Sequence, residues 1–185
     1  VQHSSWFRFF VLTLYTLTTG VLVFGLPRFL HAQTLDQNSG PSGLPLPRFA
    51  SIKPTRVNVR VGPGSNYSII FIYKKRGIPI EIIQEYDQWR KIRDAEGDEG
   101  WVYQSLLSGK RTAVTIPWQK DKTKRLMLRK NPTDDANVVA EVEPRVIGNI
   151  HQCDGHWCEL SIHNIRGWLP QSQLWGIYPD EKIKD

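Results

Sequence analysis

A strand that alternates apolar and polar residues and then runs straight into a glycine-proline-glycine turn restricts this chain more than any other feature. The stretch is Arg56-Val57-Asn58-Val59-Arg60-Val61-Gly62-Pro63-Gly64-Ser65-Asn66-Tyr67. Val57, Val59 and Val61 share one face and Asn58 and Arg60 the other, the period-two pattern of a half-buried strand. Gly62-Pro63-Gly64 forces the chain to turn. A worn copy returns as Arg125-Leu126-Met127-Leu128-Arg129-Lys130-Asn131-Pro132, which keeps the arginine and the proline and loses both glycines.

The segments downstream of each copy also repeat. After the first come Ile69 to Tyr73, a charged turn at Lys74 to Gly77, Ile78 to Gln84, a hairpin near Asp87-Gln88, Trp89 to Arg93, an acidic loop around Gly97, Gly100-Trp101-Val102-Tyr103 and a helical turn at Gln104 to Leu107. Five short strands separated by turn signals predict a small barrel or orthogonal sandwich. In the second copy Val138-Val139 matches Ile69-Ile70, Trp157 matches Trp89, Gly167-Trp168-Leu169 matches Gly100-Trp101-Val102, and Gln171-Ser172 matches Gln104-Ser105. Self-similarity over so long a period predicts two tandem domains of roughly 55 residues each. Units this small bury little surface and depend on aromatic packing, for which the chain has seven Trp.

Val-Asn-Val-Arg-x-Gly-Pro-Gly at 57–64, Trp-x-x-Ile at 89–92 and Gly-Trp-Val at 100–102 resemble the bacterial SH3 domain, SH3b. The second copy resembles a divergent member, with Asn131-Pro132-Thr133 in place of Gly-Pro-Gly and Met127 in place of Asn58. The resemblance implies an all-β protein of two tandem SH3-like small barrels behind an N-terminal signal segment. It also implies export, and recognition of peptidoglycan or of proteins that work on it.

The flanking composition sets the expected boundaries. Arg8 precedes an apolar run from Phe9 to Leu26, and Ala32 offers a cleavage point, so 1–32 reads as a secretory signal. An uncleaved anchor is the alternative, in which case this segment alone meets the membrane. Residues 33–50, rich in Ser, Gly, Asn and Pro, read as a flexible tether. Domain one then spans 51–109, a basic linker 110–124, domain two 125–178 and a tail 179–185. The net charge is +6, and Lys110 to Arg125 holds six basic residues and one acidic. An excess confined to a connector is no footprint for nucleic acid; it suits a solvated linker or a contact with anionic polymer or lipid headgroups.

The candidate ligand-binding residues are Asn58, Arg60, Tyr67, Tyr86 and Tyr103. An arginine fork suits carboxylates, an asparagine amide both donates and accepts, and aromatic grooves hold extended peptides. A local ion pair of Arg60 with Asp94 or Glu99 is the competing reading. Trp89 and Trp101 recur in both copies and are expected in the core. Tyr67, Tyr86 and Tyr103 align with Ala136, Cys153 and Pro170, so the tyrosines are special to the first copy.

His151-Gln152-Cys153-Asp154-Gly155-His156-Trp157-Cys158 gathers four groups able to bind a soft metal, but export favours a disulfide between Cys153 and Cys158, the only two cysteines. No catalytic residue, metal or cofactor is assigned, because no copy pairs a nucleophile with a base. The expected function is a non-catalytic binding module of the periplasm or cell envelope that recognises peptidoglycan or its peptides. The alternatives are an envelope adaptor that docks a protein through exposed Trp175 and Tyr178 of the second barrel, and, as a minor reading, a cell-wall hydrolase.

Overall fold

The computed structural model describes residues 39–121 and 123–184. The expected signal segment, 1–32, lies outside the described residues, as do 33–38 of the expected tether. Both barrels fall within one compact unit.

The first barrel comprises β1 (Arg48–Ile52), β2 (Val57–Arg60), β3 (Ile69–Tyr73), β4 (Pro79–Tyr86), β5 (Trp89–Arg93), β6 (Glu99–Tyr103), a 3-10 turn at Gln104–Leu106 and β7 (Leu107–Ser108). The second comprises β8 (Thr112–Thr115), β9 (Leu126–Arg129), β10 (Val138–Val142), β11 (Ile147–Asp154), β12 (Trp157–Ile162), β13 (Ile165–Pro170), a 3-10 turn at Gln171–Gln173 and β14 (Leu174–Trp175), with β15 (Lys182–Ile183) added at the end. The strand orders are β3-β2-β6-β5-β4-β1-β7 and β10-β9-β13-β12-β11-β8-β14, which are the same order twice. The expected all-β pair of tandem barrels is therefore what the chain forms.

Each copy begins earlier than its sequence pattern suggested. β1 lies largely in the expected tether and β8 in the expected basic linker. β1 pairs antiparallel with β4 and β7, and β8 pairs likewise with β11 and β14. All four residues of β8 are buried, so the charges of that connector flank a strand rather than fill a spacer. The tail is also taken up, since Ile183 pairs with Cys153 and Lys182 with Asp154.

Alternation places Val57 and Val59 in the first core with Ile52, Ile80, Ile82, Ile92 and Val102, and Leu126 and Leu128 in the second with Leu160, Ile162 and Leu169. Val61, expected on the same stripe, is 57% exposed because β2 ends at Arg60, where a bulge breaks the register. Trp101 is buried as expected, at the margin of the apolar core, whereas Trp89 is only half-buried and does not fill the core.

Phe49 of β1 joins the barrels. Its ring meets Trp175 edge to face at 5.1 Å and Tyr178 at 4.6 Å, with the Arg111 guanidinium over it. The Tyr178 hydroxyl donates to Glu81 at 2.9 Å, and Arg111 pairs with Glu181 at 2.7 Å. Arg145 pairs with Glu96 across the same divide at 2.6 Å. Trp175 and Tyr178, expected to be free for a partner, are thus occupied within the chain.

Candidate functional site

Turning Val57 and Val59 inward leaves Asn58 and Arg60 on the outer face of β2. There Arg60 lies opposite Trp101 of β6, Tyr103 opposite Trp89 of β5, and Trp89 opposite Tyr86 of β4. Tyr86, Trp89 and Tyr103 therefore form a row across three strands, and the Trp89 and Tyr103 rings meet edge to face at 5.5 Å. An open cleft of about 390 Å³ runs beside this row, lined by Arg56, Asn58, Arg60, Ser65, Trp89, Tyr103 and Leu106. Its size is that of a small-ligand or peptide site. Three of the five expected residues, Asn58, Arg60 and Tyr103, line it directly. Tyr86, 60% exposed, extends the aromatic row beyond it.

Tyr67 has a different place. Its ring lies against the Gly-Pro-Gly turn so closely that a Cβ at Gly62 would sit 2.6 Å from it. Arg60 Nη1 donates to the Tyr67 carbonyl at 2.6 Å, and in the second barrel Arg129 Nη1 donates to the Ala136 carbonyl at 2.8 Å. The arginine that survives in both copies is a clamp on the turn, which accounts for its recurrence. Among the described residues no carboxylate pairs with Arg60. Asp94 accepts from the Tyr73 hydroxyl and from the amides of Glu96 and Asp98, while Glu99 is held by Lys91 at 2.7 Å and Arg93 at 2.9 Å. Hydrogen bonds from Lys91 and Arg93 keep the Glu99 carboxyl below its ordinary range.

The corresponding face of barrel two keeps Arg129 and Trp157 at the positions of Arg60 and Trp89 but lacks the amide and the phenol. Met127 stands at the position of Asn58 and Pro170 at that of Tyr103, and Arg125 is paired with Glu143 at 3.0 Å.

A second polar cluster, centred on Glu85, has no signature in the residue pattern. The Glu85 side chain is fully buried and takes Arg48 at 2.6 Å, Arg90 at 3.1 Å, and the Ser42 amide and hydroxyl at 2.8 Å each. Burial pushes its carboxyl up, but the bonds from Arg48 and Ser42 outweigh burial and hold it below the ordinary range. A Cβ at Gly40 would come within 2.5 Å of the same carboxylate. The described part of the expected tether is therefore latched onto barrel one.

Cross-strand register places Glu85 opposite Arg90 in barrel one and Cys153 opposite Cys158 in barrel two. An ion pair in one copy and a disulfide in the other occupy the same rung, so Tyr86 corresponds to Asp154 rather than to Cys153. The disulfide is formed, with an S–S distance of 2.02 Å. Of the nearby histidines, His151 bonds the Ser161 hydroxyl and His156 is exposed. Among the described residues no group of three or more His, Cys, Asp or Glu side chains is placed to hold a metal ion, and no helix is long and apolar enough to cross a membrane.

Two stretches, 53–109 and 122–176, match the family model of the bacterial SH3 domain. No curated protein matches the chain. Among solved structures, NlpC1 from Trichomonas vaginalis is similar at 12% identity and a TM-score of 0.30, over 74% of this chain and 48% of that one. NlpC2 from the same organism is similar at 12% and 0.29, over 70% and 48%. An NlpC/P60 family protein from Bacillus cereus is similar at 12% and 0.31, over 69% and 56%. The chain spans about half the length of these structures. With both copies matched from β2 through the Gly-Trp strand and the 3-10 turn after it, the chain belongs to the bacterial SH3 domain family and carries two such domains in tandem.

Proposed function

We propose that this chain is an exported, non-catalytic binding module that recognises peptidoglycan through its peptides, using barrel one. The outer cleft supports this reading most directly: it sets Arg56 and Arg60 beside an aromatic wall of Trp89 and Tyr103. A guanidinium takes a free carboxylate, the Asn58 amide reads a peptide group, and the rings cover the peptide body. The disulfide agrees with an oxidising compartment such as the periplasm or outer envelope. The adaptor reading that rests on Trp175 and Tyr178 loses its anchors, because both pack against Phe49.

Sedimentation with purified cell-wall sacculi tests the proposal. Arg60 clamps the turn, so the informative variant is Asn58→Met with Tyr103→Ala, which leaves that clamp intact and takes Met127 of barrel two as the tolerated residue. The unaltered chain should pellet with sacculi, and the double variant should bind about tenfold more weakly or worse. A chain that stays in the supernatant, or a variant that pellets equally well, would contradict the reading.

A further inference from the structure

Three short segments meet at the end of barrel one where β1 passes to β2. Ile52 donates to the Ile78 carbonyl at 2.9 Å, Gly77 to the Ile52 carbonyl at 2.7 Å and Lys53 to the Leu106 carbonyl at 2.9 Å. These main-chain bonds join the loop after β1, the turn before β4 and the 3-10 turn, and Gly77 closes its turn in the left-handed region at φ +76°. Between them lies an open cleft of about 520 Å³ lined by Lys53, Pro54, Thr55, Arg76, Ser105 and Leu106. Its polar side chains are an ammonium, a guanidinium and two hydroxyls, all on exposed residues, and no carboxylate lines it.

The cations of this end are unspent. Among the described residues, Arg56 and Arg76 are the two arginines whose guanidinium has no hydrogen-bond or ion-pair partner, and Lys53, Lys74 and Lys75 beside them are exposed and equally unpaired. The acidic loop after β5 stands at the same end, but Tyr73 holds Asp94 and Arg145 holds Glu96. Asp98 is that loop's one carboxylate without a partner among the described residues.

Barrel two repeats the frame without the charges. Thr115 donates to the Val146 carbonyl at 3.0 Å, Arg145 to the Thr115 carbonyl at 2.7 Å and Ile116 to the Gln173 carbonyl at 2.8 Å. The buried Ile116 therefore stands where Lys53 stands, and Pro144 where Arg76 stands. The fold needs the frame, since both copies build it, but it does not need the cations. A carboxylate offers two oxygens in one plane and is satisfied by a single guanidinium fork. A phosphate monoester carries nearly two negative charges on three acceptor oxygens, and it needs donors from several directions.

We propose that this cleft binds a phosphate monoester, with Lys53 and Arg76 neutralising its charge and the Thr55 and Ser105 hydroxyls completing its hydrogen bonds. The site adjoins the peptide cleft at Leu106 but shares no charged group with it, so it rests on no part of the wall reading.

The test is 15N-resolved NMR of the full chain at about 150 mM salt, which screens loose charge contacts. The probes are glycerol 3-phosphate and succinate, which matches its charge with planar carboxylates. Saturable shifts are expected with the phosphate ester at the Lys53 and Thr55 amides and the Arg76 side-chain N–H, and none at Ile116 or Gln173. Lys53→Gln and Arg76→Gln, both exposed changes, should each weaken binding about tenfold, whereas Asn58→Met with Tyr103→Ala should leave it unchanged. Vesicles containing phosphatidate identify the source of the ester: pelleting with them, lost in the same two variants, assigns a lipid headgroup, and binding of glycerol 3-phosphate alone assigns a soluble ester. Succinate binding as tightly as the ester, undiminished affinity in Lys53→Gln and Arg76→Gln, or no saturable shift overturns the proposal.

Discussion

Gly100 shows how one missing atom holds each barrel together. A Cβ there would lie 2.4 Å from Val59 Cγ1 and 3.1 Å from the Arg60 carbonyl. Gly167 repeats the situation against Leu128 and the Arg129 carbonyl, at 2.7 and 2.8 Å. The glycine of each Gly-Trp pair is therefore required by the close passage of β2 or β9. Gly100→Ala is expected to cost about 2 kcal/mol by overpacking, read from urea unfolding, and to loosen the β2–β6 contact that sets Arg60 opposite Trp101. Recurrence in the sequence identified Gly100, Trp101 and Arg60 as important but could not say why. The partner of Arg60 is a main-chain carbonyl seven residues away, which leaves no trace in side-chain pattern. Asn58 and Tyr103 were legible as site candidates because the second copy replaces both.

At the scale of elements, the strands with clear alternation were legible and those without it were not. β2, β3, β5 and β6 followed from period-two patterns and turn residues. β1 and β8 did not, because Arg48-Phe49-Ala50-Ser51-Ile52 adjoins a proline run and Thr112-Ala113-Val114-Thr115 is buried on both faces. The latch that fixes β1 was also invisible, since Ser42 and Glu85 are 43 residues apart. Its pH dependence follows from the sign of the Glu85 shift. The folded-state pKa is lowered, so the contribution is complete above the ordinary glutamate range, about 4.3, and is lost as pH falls through the lower folded value. Exchange of the Ser42 amide, corrected for its intrinsic rate, should accelerate selectively below that range. Glu85→Gln should reproduce the release at neutral pH and cost about 3 kcal/mol, because it leaves the Arg90 guanidinium buried without its carboxylate. Unchanged Ser42 exchange in Glu85→Gln would contradict the latch.

Across the whole molecule, the repeat is compatible with separate or packed barrels, and the structure shows two barrels sharing an aromatic seam. Phe49 comes from a segment expected to be a tether, and Trp175 and Tyr178 from the end of the second domain, and they find one another because β1 and β14 each complete a barrel. Their use in the seam removes the most obvious apolar docking residues from barrel two. The copies have then diverged at matched positions: Asn58 and Tyr103 against Met127 and Pro170, Phe71 and Tyr73 against Ala140 and Val142, Glu85 and Arg90 against the cysteine pair. Barrel one alone sets an amide and a phenol beside the arginine and tryptophan that both copies keep. Whether barrel one alone reads the wall peptide is decided by titrating the full chain with a soluble stem peptide bearing free carboxylates and monitoring both barrels in one NMR spectrum. Shifts are expected at Asn58, the Trp89 indole and Tyr103, all lost in Asn58→Met with Tyr103→Ala. Shifts confined to residues 126–175, or unchanged in that variant, would contradict a reader in barrel one.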